Sequence, residues 1–211
     1  MSELVRKTVT IGVTGASGAV YAQTILRALD ADPRIERVHL VVTDAGMRLL
    51  STELGIVPQE TRRLPGMLTG TRAEKFDFLP NKDVGASIAS GSAPVDCMAV
   101  IPCSAGTLAA IATGQSDDLL SRAADVCLKE NRRLVLCLRE TPLNRIHLEN
   151  MLRVAQAGAV VMPAMPSFYH QPVTIDDLVA QYVFRVLAQM DLPQAEQYHW
   201  RGSPSAKNAK A

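Results

Sequence analysis

Five short apolar runs, each leading into a helical pattern, constrain this chain more than any other feature. "TVTIGVT" precedes a helix expected from Ser17 to Leu29, "VHLVVT" one from Asp44 to Leu54, and "CMAVIP" one from Ser104 to Thr113. "RLVLCL" leads to a helix around Leu143 to Ala157, and "AVVMP" precedes one from Asp176 to Met190. Strands alternating with helices make βαβ units, and their crossovers demand a parallel sheet. The runs lack polar alternation, as expected of strands covered on both faces. The expected fold is a single α/β domain over residues 1–192, a doubly wound, mostly parallel sheet with helices on both faces. Gly55 to Ser87 is broken by Pro58, Pro65, Gly66, Gly70 and Pro80, and reads as a crossover with one short strand at "EKFDFL". Residues 193–211 turn polar and small, a tail expected to be mobile or packed on a neighbouring subunit.

Composition narrows the function classes. Net charge is +1, so no broad field points to nucleic acid or an anionic membrane, and affinity for an anion must come from a few placed cations. No apolar run approaches the ~18 residues of a membrane span, and "MSELVRKTVT" has no signal-peptide core before the first strand. Cys97, Cys103, Cys127 and Cys137 form no C-x-x-C pair and read as small core residues, which suits a cytoplasmic protein.

Ligands of open α/β sheets sit beyond the carboxyl ends of the strands. The residues there are "TGASG", "TDAG", "CSAGT", "RETP" and "AMPSFYHQP", richer in hydroxyls, glycines and charge than a fold requires. Gly15, Ala16, Ser17 and Gly18 open the first helix, and Ser104 with Ala105, Gly106 and Thr107 repeats the arrangement at another. First-turn amides and the helix dipole favour anions at both mouths. Ser17, Ser104 and Thr43 each also fit a plain N-cap, and Thr174 to Asp177 fits a capping box. Arg139 and Glu140 follow a strand buried on both faces; the guanidinium offers a fork to phosphate, and the carboxylate could shuttle a proton if burial lifts its pKa. By spacing alone Lys129 closes a helix, Arg185 snorkels from an apolar helix, and Tyr169 either donates to an anion or packs. His147 reads as structural.

The segments "TGASGAVYA", "ASIASGS", "IPCSAGTLAAIATG", "SRAADVCLKENRRLVLCLRETPL" and "MPAMPSFYHQP" occur in order across roughly residues 8 to 190. Through them the chain resembles the UbiX-type flavin prenyltransferases, relatives of the flavin-binding cysteine decarboxylases. The resemblance implies a Rossmann-like or flavodoxin-like, flavin-binding domain. It implies reduced FMN as cofactor and prenyl acceptor, dimethylallyl phosphate as donor, and prenylated FMN as product for a UbiD-type decarboxylase. It further implies a dodecamer with active sites at subunit junctions. Carried over by position, Gly15, Ala16, Ser17, Thr43, Ser104 to Thr107 and Arg139 contact FMN. Tyr169 and Arg185 bind the allylic phosphate, with Lys129, Arg122 and Ser90 nearby. Glu140 is the implied acid–base residue, and Ser17, Glu53 and Lys129 are further catalytic candidates. Some relatives carry tryptophan where this chain has Val84, and Trp200 then supplies an aromatic face instead.

No D-D-x-x-D motif follows Asp117–Asp118 or Asp176–Asp177, which argues against a magnesium-dependent diphosphate enzyme and for a metal-free site. Three rivals stand beside prenyl transfer: direct decarboxylation of an aromatic acid, oxidative decarboxylation of a cysteine, and a non-catalytic flavin carrier.

Overall fold

A computed structural model of the chain describes residues 6–200. The elements run β1 (Lys7–Val13), α1 (Ala19–Ala31), β2 (Ile35–Val42), α2 (Asp44–Leu54), α3 (Leu64–Thr69), β3 (Phe76–Pro80) and β4 (Cys97–Cys103). There follow α4 (Ala105–Thr113), α5 (Leu119–Lys129), β5 (Arg133–Leu138), α6 (Arg145–Gln156), β6 (Val160–Val161) and α7 (Ile175–Gln189). Every ladder is parallel and the sheet order is β3-β2-β1-β4-β5-β6. The chain steps outward from β1 through β2 to β3, then returns to lay β4 on the other side of β1. The reversal between β1 and β4 opens a crevice at their carboxyl ends.

Two cores sandwich the sheet. Val9, Ile11 and Val13 of β1 enter one core with Ile25, Leu26 and Leu29 of α1 and Val183, Val186 and Leu187 of α7. Gly12, on the opposite face by the two-residue period of a strand, lies against Leu120 of α5, which joins Leu119, Ala123 and Cys127 in the second core. All of β4 is buried, and so is β5 beyond its first residue, which is why neither run alternates. The four cysteines are buried free thiols, and burial pushes those of Cys97, Cys127 and Cys137 up to about 12. They serve as core atoms, not as nucleophiles.

The expected elements form, with three differences. The first helix begins at Ala19 and not Ser17, because Gly18 takes φ 119°, a left-handed conformation incompatible with a helical turn. "EKFDFL" forms β3, but α3 occupies part of the stretch that its prolines and glycines make irregular. A second helix, α5, follows α4 without an intervening strand, and sequence spacing marks only its end at Lys129.

Beyond α7 the backbone doubles back along its own chain. Met190 and Leu192 are fully buried, and Arg34 donates to the carbonyl of Pro193 at 3.0 Å while pairing with Asp32 at 2.6 Å. Gln194 donates to the same Asp32 carboxylate at 3.3 Å. Burial alone would raise the Asp32 pKa, but the hydrogen bonds from Arg34 and Gln194 outweigh it and hold the carboxyl below its ordinary 3.8. A carboxylate whose folded pKa is depressed contributes stability that is complete above the unfolded value and is lost as pH falls through the folded one. Melting temperature should therefore carry no Asp32 contribution to its slope above about pH 5 and fall below pH 3.8, the ordinary carboxyl value. Asp32→Asn should flatten that acid limb in a pH series of thermal melts. The part of the expected tail at 201–211 lies outside the described residues.

Candidate active site

The residues singled out by sequence fall into three groups, each built by a different part of the fold. The first lies at the carboxyl ends of β1, β4 and β5. Thr14, at the exit of β1, is 1% exposed; its hydroxyl donates to the Pro102 carbonyl at 2.8 Å and accepts from the Ser104 amide at 2.8 Å. It thereby ties the β1 exit to the start of α4. Arg139 completes the frame, its amide bonding the Cys103 carbonyl at 3.0 Å and its Nε donating to the Ser17 carbonyl at 3.1 Å. Sequence reasoning missed Thr14, whose signal is a hydroxyl at the last position before a glycine turn. Thr14→Val strips both partners in a buried position, and should cost about 1–3 kcal/mol of stability, measured by urea denaturation.

The two helix mouths differ. At α4 the Ser104 hydroxyl caps the Thr107 amide at 3.2 Å and contacts the Thr107 hydroxyl at 3.0 Å. The other first-turn amides, Ala105 and Gly106, have no intrahelical acceptor and remain donors for an anion. At α1 the Ser17 side chain makes no cap. Glu53, arriving from α2, fills the mouth instead, with its carboxylate 2.7 Å from the Ala19 amide and 3.0 Å from that of Gly18. Burial would raise the Glu53 pKa, yet the Ser17 hydroxyl, the Ala19 and Gly18 amides and the charge of Arg139 hold it below the usual carboxylate value. The Glu53 carboxylate thus already meets the first amides of this mouth. A Cβ on Gly15 would stand 2.5 Å from Cβ of Ala45, so only glycine lets the β1 turn pass this close to α2. Thr43 caps α2 through the Gly46 amide at 3.0 Å. Glu140 is exposed beside this group and accepts from its neighbour's Thr141 amide at 3.0 Å.

The second group lies around the loop at residues 87–92. Arg122 donates to the Ala89 carbonyl at 3.2 Å and to Asp125 at 2.9 Å, Ser90 pairs with Ser92 at 2.9 Å, and Lys129 pairs with Glu130 beside Gly91. α5 starts against Asn81, just past the carboxyl end of β3, and ends before β5 begins. Its 11 residues span roughly 16 Å at 1.5 Å each. Lys129 therefore sits at the amino edge of the sheet, opposite Arg139.

The third group lies on the other face. Tyr169, Arg185 and Trp200, with Ser167, Gln181 and Tyr198, line a cavity of about 380 Å³. Tyr169 and Trp200 meet edge to face with ring centroids 5.5 Å apart. His170, beside Tyr169, buries both ring nitrogens without a hydrogen-bond partner among the described residues. α7 packs into the first core and α5 into the second, so the sheet separates Arg185 from Arg122 and Lys129. Val84 is half exposed at 51%. His147 closes the capping box of α6 with Asn144, a structural role. Among the described residues no three His, Cys, Asp or Glu side chains gather as a metal site, and no helix is long and apolar enough to cross a membrane.

Comparison with known proteins matches this arrangement to one family. The flavoprotein family model matches residues 1–185. The flavin prenyltransferase UbiX of Pseudomonas aeruginosa is 43% identical over 197 residues, spanning 91% of this chain and 93% of that one. The crystal structure of AnUbiX (PadA1) in complex with FMN and dimethylallyl pyrophosphate superposes with a TM-score of 0.82 at 40% identity, covering 94% of this chain and 100% of the other. A dodecameric FMN-dependent UbiX-like decarboxylase from Escherichia coli O157:H7 gives a TM-score of 0.81 at 40% identity, covering 92% and 100%. Five parallel ladders, a switch point between β1 and β4 and this likeness over nearly the whole length lead to one conclusion: the chain belongs to the flavoprotein family and, within it, to the UbiX flavin prenyltransferases.

Proposed function

We propose that this enzyme joins the dimethylallyl group of dimethylallyl phosphate to N5 and C6 of reduced FMN, without a metal, and releases prenylated FMN for a UbiD-type decarboxylase. The observation that carries the reading is the presence of two separate places for anions, the α4 mouth and the Arg185–Tyr169 cavity, on a chain whose relative binds a flavin nucleotide and an allylic diphosphate together. The residues fit FMN: the Ala105 and Gly106 amides with Ser104 and Thr107 suit its phosphate. Gly15, Ala16, Ser17 and Thr43 leave the β1 and β2 exits open to a flat ring, and Arg139 borders it. When bound, reduced FMN supplies the electron-rich N5 and C6 that take up the allylic carbons.

The chain's own residues do the rest. Arg185 and Tyr169 hold the donor's phosphate, and their hydrogen bonds strengthen as negative charge grows on the departing oxygen. Lys129, Arg122 and Ser90 add cations and a hydroxyl to the same phosphate. They lie across the sheet from Arg185, with Lys129 at its amino edge, so they reach it from another copy of the chain. This reading calls for an assembly, in keeping with the dodecameric relative. Glu140 takes the proton released when the bond at C6 forms. It is exposed in a single chain, and the burial that suits it to that task comes from the neighbouring copy. Glu53, kept ionised by Ser17 and the α1 amides, orients the Ser17 hydroxyl toward the flavin.

The test is anaerobic incubation with reduced FMN and dimethylallyl phosphate, followed by mass spectrometry of the extracted flavin. A gain of one C5H8 unit with release of inorganic phosphate is the expected result. An unchanged flavin mass on folded, FMN-loaded protein would return the chain to the decarboxylase or carrier readings.

A further inference from the structure

The backbone after α7 ends as a strap laid over the third group, and one side chain holds it there. Gln181 donates from Nε2 to the Glu196 carbonyl at 3.0 Å and accepts at Oε1 from the Tyr198 amide at 2.7 Å. Both ends of a single amide are thus spent on the backbone on either side of Gln197. Upstream, Arg34 and Gln194 tether the strap to the Asp32 corner, so Gln181 is the last anchor before Tyr198 and Trp200. Gln181 and Arg185 are four residues apart on α7 and share one face of it, so the clamped strap and Arg185 border the same cavity. Tyr198 and Trp200 then stand as walls of the cavity that Arg185, Tyr169 and Ser167 complete.

We propose that Gln181 is a positioning residue: by clamping the backbone at Glu196 and Tyr198 it fixes Trp200 against Tyr169, and so sets the shape of the pocket that receives the allylic phosphate. The proposal rests on the reading of this cavity as the donor site. Because both ends of the amide are engaged with the backbone at Glu196 and Tyr198, the role proposed for Gln181 is exerted through the strap. The consequence is specific. Loss of the clamp leaves Arg185 in place but frees the aromatic wall, which weakens capture of the donor more than the later bond-forming step.

Trp200 is the chain's single tryptophan, which gives the strap its own spectroscopic signal. Gln181→Met keeps the side chain's bulk and removes both hydrogen bonds. In the flavin-free, ligand-free protein, acrylamide should quench Trp200 more strongly in Gln181→Met than in the unmutated enzyme. With dimethylallyl phosphate and reduced FMN, KM for the donor should rise roughly tenfold while kcat changes less, and the affinity for FMN should stay the same. Equal quenching in the two proteins would overturn the proposal even if KM rose, because Gln181 would then act on the donor directly. Raised quenching with an unchanged KM would overturn it from the other side. If the unmutated enzyme transfers no prenyl group, the donor-site reading fails, while the ligand-free quenching comparison still reports whether Gln181 holds the strap.

Discussion

Replacing Arg185 with alanine should lower kcat/KM for dimethylallyl phosphate by roughly 10²–10³-fold, with FMN binding and the fold intact. The carbon–oxygen bond of an allylic phosphate breaks only as fast as charge on the departing phosphate is met by fixed donors. Arg185 brings a permanently charged fork to the cavity it shares with Tyr169. Donors preorganised for a developing anion are worth about 3–4 kcal/mol each, more than a ground-state hydrogen bond. Arg185 itself is exposed and lies in no salt bridge among the described residues, so its loss should barely move the melting temperature. Arg185→Lys restores charge but not the bidentate geometry and should recover only part of the rate. Steady-state kinetics alongside circular dichroism would check both statements; wild-type turnover in Arg185→Ala would remove the donor site from this cavity.

Glu140→Gln should stall the reaction by roughly 10²–10⁴-fold while the protein still carries its flavin. The glutamine keeps shape and the hydrogen bond to the Thr141 amide, so the loop should hold its course. What it removes is the capacity to accept a proton, and a general base contributes on that scale. Rapid mixing should show flavin and donor bound, with product formation slowed and KM little changed. The two variants would separate the proposed roles, Arg185 in departure of phosphate and Glu140 in loss of a proton. A simple flavin carrier would be indifferent to both.

The strands were legible because a parallel sheet buried on both faces writes them as unbroken apolar runs, as in "CMAVIP" and "RLVLCL". α5 was not, since it follows α4 with no strand between them and only its charged end breaks the pattern. At the site, the strand-exit rule found Gly15 to Ser17, Ser104 to Thr107 and Arg139, which do gather at the β1–β4 switch point. It could not find the occupant of the α1 mouth. Ser17 fits a cap by type and place, but a left-handed Gly18 ends that possibility, and Glu53 arrives from 34 or 35 residues away through α2. Thr14 escaped for a different reason: its partners, Pro102 and Ser104, are brought near only by the β1–β4 pairing. Sequence order cannot reveal that Lys129 lies at the amino edge of the sheet and Arg185 across it.

That separation can be tested by complementation between subunits. Lys129→Ala and Arg185→Ala chains, co-expressed with different tags and purified as mixed assemblies, should each be impaired alone. Together they should regain about a quarter of the unmutated activity, because each site draws its two residues from different copies and a random mixture makes one site in four whole. Mixed assemblies no more active than either variant, or a Lys129→Ala enzyme as active as the unmutated one, would contradict a site shared between chains.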